Sequence, residues 1–293
     1  LSLKALATDQ LNGSFPKLSC IVDTTNSIST DLISRPLNNP AWAVYKVLKD
    51  ANISDENINI SKFETWATYC NTNNLTVNLY IDSSVELQNI LNMISVLGRA
   101  IIIQFGAVFT PVLDIASSIP TQGFIFTSAN MIDSSFNMSL IPYENRANII
   151  ETTYYDKDDD YKPKTITLSS DDYNSSSIDN KSSIKLYGCT DKTNAQNYTK
   201  FLLNKNKYIS KTISFIASTD SIVCTIGDII KVGVKYFTNT ICEGRVQEYN
   251  SSTKTITLDN TISLEQNETY QIDYRISSSD EIISHTFTSN TLQ

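Results

Sequence analysis

The stretch Asn38-Asn39-Pro40-Ala41-Trp42-Ala43-Val44-Tyr45-Lys46-Val47-Leu48 opens the densest helical signal of the chain, which runs on to Asn145. Pro40 stands in a first helical turn, where its missing N–H costs nothing. Trp42, Tyr45 and Leu48 follow at three-residue steps with Val44 and Val47 alongside, which makes one apolar helix face. A second helix is predicted over Phe63-Glu64-Thr65-Trp66-Ala67-Thr68-Tyr69-Cys70-Asn71, with Phe63, Trp66, Ala67 and Cys70 on one side. Ser61, with Glu64 three residues on, reads as its capping box. Asp82-Ser83-Ser84 reads as the cap of a third helix. There Leu87, Ile90, Leu91, Ile94 and Leu97 follow helical spacing and Gly98 is the natural stop.

Working outward, Thr76–Ile81 alternates as a strand, and Arg99–Gln104 and Ala107–Leu113 read as two strands joined at Phe105-Gly106. Ile125–Asn130 and Ser135–Ile141 add short extended pieces. Residues 24–145 are therefore expected to form a compact α+β domain. From Arg146 the pattern is β. Ala147–Tyr155 and Pro163–Leu168 flank the acidic turn Asp156-Lys157-Asp158-Asp159-Asp160. Asp171–Ser183 has no apolar period and reads as a mobile loop.

Thr190 or Asp191 caps a single helix running to about Lys205. Short strands follow at Ser210–Ser218, Ile229–Val234, Cys242–Asn250, Lys254–Leu258 and Tyr270–Ile276, spaced by turn signals as in a small barrel or sandwich. Residues 146–276 are thus expected to be a β-barrel-like domain with one helix, and 277–293 a polar tail or linker. At the other end, Lys17-Leu18-Ser19-Cys20-Ile21-Val22 alternates as a half-buried strand. Residues 1–23, opening on Leu1 in what reads as a strand interior, are expected to end an upstream barrel domain of a longer polypeptide.

With 293 residues the chain is long enough for two domains. Charged residues make up 18%, below the usual share of roughly 25%; hydroxyls and amides supply the surface polarity instead. The net charge is −8, which argues against a duplex-binding surface because phosphate neutralisation needs clustered Lys and Arg. Such a balance fits a wall past which a polyanion slides without sticking. The five cysteines (Cys20, Cys70, Cys189, Cys224, Cys242) are odd in number and widely spaced. They read as buried free thiols rather than a disulfide framework or a metal cage. No apolar run reaches the 18 or so residues of a membrane span.

The search for chemistry gives little. His285, the single histidine, lies in a Ser/Thr-rich run and supports no nucleophile–base set. The turn Asp156–Asp160 is the best metal candidate. Lys157 interrupts it, however, and it lacks the Gly and distal Glu of an EF-hand loop, so a solvated turn is the preferred reading. None of the eight glycines builds a phosphate loop. The aromatic pairs Trp42/Tyr45 and Phe63/Trp66 sit at helical spacing among apolar neighbours and read as core. No catalytic, cofactor-binding or metal residue is assigned, and no enzyme is expected.

The order of segments carries more than any single site. Leu11-Asn12-Gly13-Ser14-Phe15-Pro16, Asn39-Pro40-Ala41-Trp42, Phe63 to Asn71 and Leu87–Arg99 occur in series. After them come Ile125-Phe126-Thr127-Ser128-Ala129-Asn130-Met131-Ile132, Arg146–Tyr155, Tyr187-Gly188-Cys189-Thr190-Asp191 and Ile226-Gly227-Asp228-Ile229-Ile230. Over about residues 10–275 this series resembles the tail-tip attachment protein J family of lambda-like long-tailed phages, the central tail hub. The chain is shorter than those proteins and poorer in glycine, and it lacks their upstream hub domain and downstream receptor-binding regions.

The resemblance implies a homotrimeric virion protein of the tail tip, assembled in the host cytoplasm. In it the small α+β hub domain would close the tube and the following barrel-like domain would continue it. Its implied partners are the distal tail protein ring, the tape-measure protein's end, and a host receptor through downstream regions; DNA would pass during ejection without specific binding. Two alternatives accompany it. One is the hub of a prophage-derived bacteriocin or gene transfer agent. The other is a carbohydrate-binding or hydrolytic tail module, which would require a carboxylate pair and exposed aromatics in a cleft.

Overall fold

A computed structural model describes residues 35–81, 83–115, 124–174, 176–234, 245–253, 255–259, 262, 264–276, 278 and 281–289. The readings placed on residues 1–34, Cys20 among them, and on Cys242 lie outside these.

Three helices come first. Helix α1 (Pro40–Asp50) begins at Asn39, whose side chain accepts from the Ala41 N–H at 2.9 Å. Asn39 is itself 2% exposed and donates to Ala67 O and Asn71 Oδ1, so the cap also ties α1 to α2. Helix α2 (Ile60–Thr72) starts one residue before the expected capping box. Asn59 is the cap and accepts from Lys62 N; amides cap as well as hydroxyls, and Ser61 falls inside the first turn. Helix α3 (Leu87–Leu97) begins later than Ser84, at Glu86, with no side-chain cap. It starts where its apolar face starts, which indicates that burial rather than capping sets this end.

The core follows directly from the helical spacing. Trp42, Val44, Tyr45 and Leu48 of α1 meet Phe63, Trp66, Ala67 and Cys70 of α2 and Leu91, Ile94 and Leu97 of α3. Tyr45, Phe63 and Trp66 run as a chain of tilted and edge-on rings with centroids 5.8 to 6.4 Å apart. Arg35 lies over both Trp42 and Tyr45, at 4.9 and 5.2 Å from the ring centroids, which explains how a guanidinium is tolerated at 2% exposure. Trp66 Nε1 donates to Gly98 O at 2.9 Å. A Cβ on Gly98 would sit 2.7 Å from that indole, so the stop of α3 must be glycine for steric reasons as well.

Strands β1 (Ala100–Phe105) and β2 (Val108–Leu113) form the expected antiparallel hairpin. Thr76–Ile81 is extended but joins no ladder. Its backbone bridges two loops instead, Val77 N donating to Asn38 O and Asn78 N to Gly188 O.

The core does not stop at residue 145. Tyr154, Leu186, Cys189 and Ala195 belong to the same buried cluster as Trp66. Tyr154 comes from a three-stranded sheet in the order β6-β5-β7, built from β5 (Ile149–Asp156), β6 (Lys162–Ser169) and β7 (Lys181–Lys185), Ala195 from helix α4 (Lys192–Tyr208), and Leu186 and Cys189 from the segment between β7 and α4. Asp191 caps α4 by accepting from Thr193 N and Asn194 N. Thr152 on β5 and Thr199 on α4 share a buried hydroxyl bond of 2.6 Å, and Thr199 also donates to Ala195 O. Strand β7 falls where a loop was expected. Its Lys-Ser-Ser-Ile-Lys run is too polar to read as a strand, and its ladder to β5 decides the matter.

The remaining strands pair in twos. Parallel β3 (Phe124–Thr127) and β9 (Ile230–Gly233) pair, as do antiparallel β4 (Asn137–Leu140) and β8 (Lys211–Ser214). Strands β10 (Val246–Asn250) and β11 (Thr255–Leu258) make a hairpin. Strand β12 (Thr269–Arg275) pairs along its length with β13 (Ile282–Thr288), so part of the stretch read as a polar tail is a strand. The class is α+β, as expected. Among the described residues these strands make sheets of two or three, and no closed barrel.

Candidate functional site

The positions singled out for chemistry have structural partners. Asp156, 7% exposed, accepts from Lys164 Nζ at 2.9 Å, from Asp158 N at 3.0 Å and from the Tyr154 hydroxyl at 3.4 Å. Asp159 is held by Lys162 at 3.0 Å and Lys164 at 3.2 Å. Lys157 reaches Asp191, the cap of α4, at 2.8 Å. The acidic turn is therefore matched by lysines, and it fastens the β5–β6 corner to a helix start. Lys164 and the Asp158 amide hold the Asp156 carboxyl below its ordinary value, and the Lys157 ammonium does the same for Asp191. No group of three metal-ligating side chains occurs among the described residues.

His285 lies exposed on β13 opposite Ile272. Trp42, Tyr45, Phe63 and Trp66 are core, as read. Burial pushes the Cys70 thiol up to about 12 and the Cys189 thiol up to about 11, the condition of inert core cysteines. Gly227-Asp228 is a turn, in which Asp228 accepts from the Thr225 N–H and hydroxyl.

What stands out is surface. On β8 every residue is exposed, and on β10 all five are. Two-stranded ribbons wet on both faces are marginal by themselves. Yet large apolar side chains are exposed along this part of the chain. Leu140 on β4 is 69% exposed, Ile216 60%, Ile222 80% and Ile226 72%. Ile213, Tyr249 and Ile256 are exposed as well. Single apolar residues on a surface are ordinary, and an exposed series of them is a candidate docking region. Among the described residues these strand pairs also have unpaired backbone edges.

This region keeps some order of its own. Phe126 packs on Phe215 at 5.1 Å, Arg275 lies over Phe124 at 5.2 Å, and Lys231 meets Asp273 at 2.9 Å. Sequence reading found the strands but not their exposed apolar side chains. Period-2 alternation says that two faces differ, not whether either is covered.

Two comparisons with known proteins bear on this surface. A family described as putative phage tail protein matches residues 117–240. The first and last described strands of that segment, β3 and β9, pair with each other. In solved structures, the fold is similar to a chain of the virion of a native gene transfer agent particle. The TM-score is 0.51 at 13% identity, covering 74% of this chain and 46% of that one. The chain thus spans under half the length of the protein it matches. The family match supports a structural component of a phage-tail type of particle, and the structural likeness gives a shared fold.

Proposed function

We propose that this chain is part of the central hub at the tip of a tail. The hub closes the tube, docks the distal tail ring and the tape-measure end, and opens for DNA during attachment and ejection. The observation that carries the reading is the apolar, open-edged surface on β4, β8 and the strand pairs after them. A particle built from repeated copies supplies neighbours for such a surface, whereas a free monomer leaves it in water. The match to a phage tail family over residues 117–240 points the same way. The net charge of −8 suits a passage through which DNA moves without adhering.

In this reading the chain is a homotrimer and a non-enzymatic virion protein assembled in the host cytoplasm. The helical part, the 24–145 unit, decorates or closes the tip, and residues 146–276 contribute to the tube wall. Receptor contact belongs to regions outside this stretch. The same architecture serves in a gene transfer agent, and the fold shared with a chain of such a virion favours that version over a bacteriocin hub.

Light scattering tests the oligomer. The expected mass is three times 32.7 kDa. A single monomeric species at high concentration overturns the reading.

A further inference from the structure

Outside the strand surface, a cavity of about 220 Å³ opens between the C-terminal end of α4 and the turn that follows β6. Its lining brings together Arg146, which precedes β5, and Lys207, in the last turn of α4. Arg146 donates from Nε to Asn206 O at 2.8 Å and from Nη2 to Lys207 O at 3.1 Å. Both acceptors are neutral carbonyls, so the guanidinium is held in place and keeps its charge. These bonds occupy one edge of the planar group. The Nη1 protons and the second Nη2 proton have no acceptor among the described residues.

Asp172 shares the cavity, and burial decides how much it counts. It accepts from the Ser170 hydroxyl and lies 3.7 Å from Lys207 Nζ, beyond hydrogen-bond length. Its side chain is 62% exposed, against 29% for Lys207, and Arg146 is half-buried. Water therefore screens the acid more than the cations. The carbonyl end of α4 opposes an anion by roughly half a charge, and Arg146 already answers it. The amide donors are spent, Asn206 Nδ2 on Ala147 O and Asn148 Nδ2 on Ile178 O. The donors left open are cationic.

We infer that this cavity binds a carboxylate, with the open edge of the Arg146 guanidinium as its two-pronged partner and Lys207 as the second cation. A flat monoanion suits the site better than phosphate. Its two oxygens match the parallel N–H pair of a guanidinium edge, and it brings less charge toward Asp172 and the helix end. The group comes from a small free acid or from an Asp or Glu side chain of a protein partner, which present the same chemistry. The volume is below the roughly 300–1,000 Å³ of drug-sized sites and suits a group of this size. This goes beyond the assembly role and does not depend on the oligomeric state.

The test is titration of the full chain with acetate at constant ionic strength, read by ligand-observed saturation-transfer NMR, with sodium chloride as the balancing salt and inorganic phosphate as competitor. Saturable binding with a Kd on the order of 10 mM is expected. Asp172→Asn, at an exposed position, is expected to tighten it about threefold by removing the acid. Lys207→Gln is expected to weaken it about threefold. Arg146→Lys is expected to weaken it about tenfold, since lysine keeps the charge and lacks the two-pronged edge. Phosphate is expected to compete about tenfold less well than acetate. A blocked Gly-Glu-Gly peptide titrated alongside assigns the source: tighter binding than acetate supports a partner's side chain, and equal or weaker binding supports a free acid. No saturable acetate binding overturns the inference. So does phosphate competing as well as acetate, or binding that Asp172→Asn weakens or leaves unchanged.

Discussion

Trp66 and Ile222 are both large apolar side chains, yet the first is 0% exposed and the second 80%. The helical part of the molecule closes around its aromatics: α1, α2 and α3 bury one stripe each, and β5 with α4 completes the cover. Among the described residues, the strand pairs β4–β8 and β10–β11 have no comparable layer over them. An amphipathic helix needs one neighbour to bury its stripe, and chain-local hairpins of helices supply it. A two-stranded ribbon presents two faces and two edges, and one chain seldom covers them all. On the proposed function, the helical part serves stability and the strand part serves association.

The comparison breaks most sharply at Trp66. Trp66→Ala is expected to cost about 3–5 kcal/mol, through lost burial and the orphaned Gly98 carbonyl; chemical denaturation followed by far-UV circular dichroism checks it. A loss under about 1 kcal/mol would show that the helical core is not what holds the chain together.

Alkaline pH probes the same core. Cys70 and Cys189 have ordinary values of 9.0, raised by burial to about 12 and about 11. Unfolded thiols ionise first, so their stabilisation is complete below pH 9 and is lost as pH rises through 11 to 12. At pH 10 the expected loss is about 1.4 kcal/mol per thiol. Double replacement of Cys70 and Cys189 by Ala should remove this pH dependence, measured as Tm between pH 8 and 10.

The joint between the two regions is narrower. A Cβ on Gly227 would fall 2.3 Å from Val112 Cγ1, and the residue has φ +97°. Gly227→Ala is expected to cost about 1–3 kcal/mol. Hydrogen exchange should show the loss in β3–β9 before α1–α3; uniform loss would mean the two regions unfold as one.

The smallest effect on folding belongs to the exposed isoleucines between β8 and β9. Ile222→Ser with Ile226→Ser should change unfolding by within about 0.5 kcal/mol, while lowering the apparent mass by light scattering. Unchanged assembly would remove these side chains from the docking surface.

Much of the fold was legible because its periodicity is local. The three helix faces and the β1–β2 hairpin follow from residue spacing alone, while the cap of α4, open between Thr190 and Asp191 in sequence, is Asp191. The misplacements have physical causes. Asn59 rather than Ser61 caps α2, since either side chain can serve and the first buried residue decides. Strand β7 is polar and exists through its ladder to β5. Thr76–Ile81 alternates like a strand, yet its backbone partners are loops.

By itself, then, the sequence determined the α+β class, the helical core and the charge balance, because each depends on residue type and near-neighbour spacing. Tertiary structure alone decided three things. The core crosses residue 145, since Tyr154 and Ala195 reach Trp66's cluster from distant sequence. Leu140 of β4 and Ile213 of β8 are exposed among the described residues, since coverage depends on what lies opposite. Asp156–Asp160 became a lysine-matched corner, since Lys164 and Asp191 are brought there by strand pairing and helix packing.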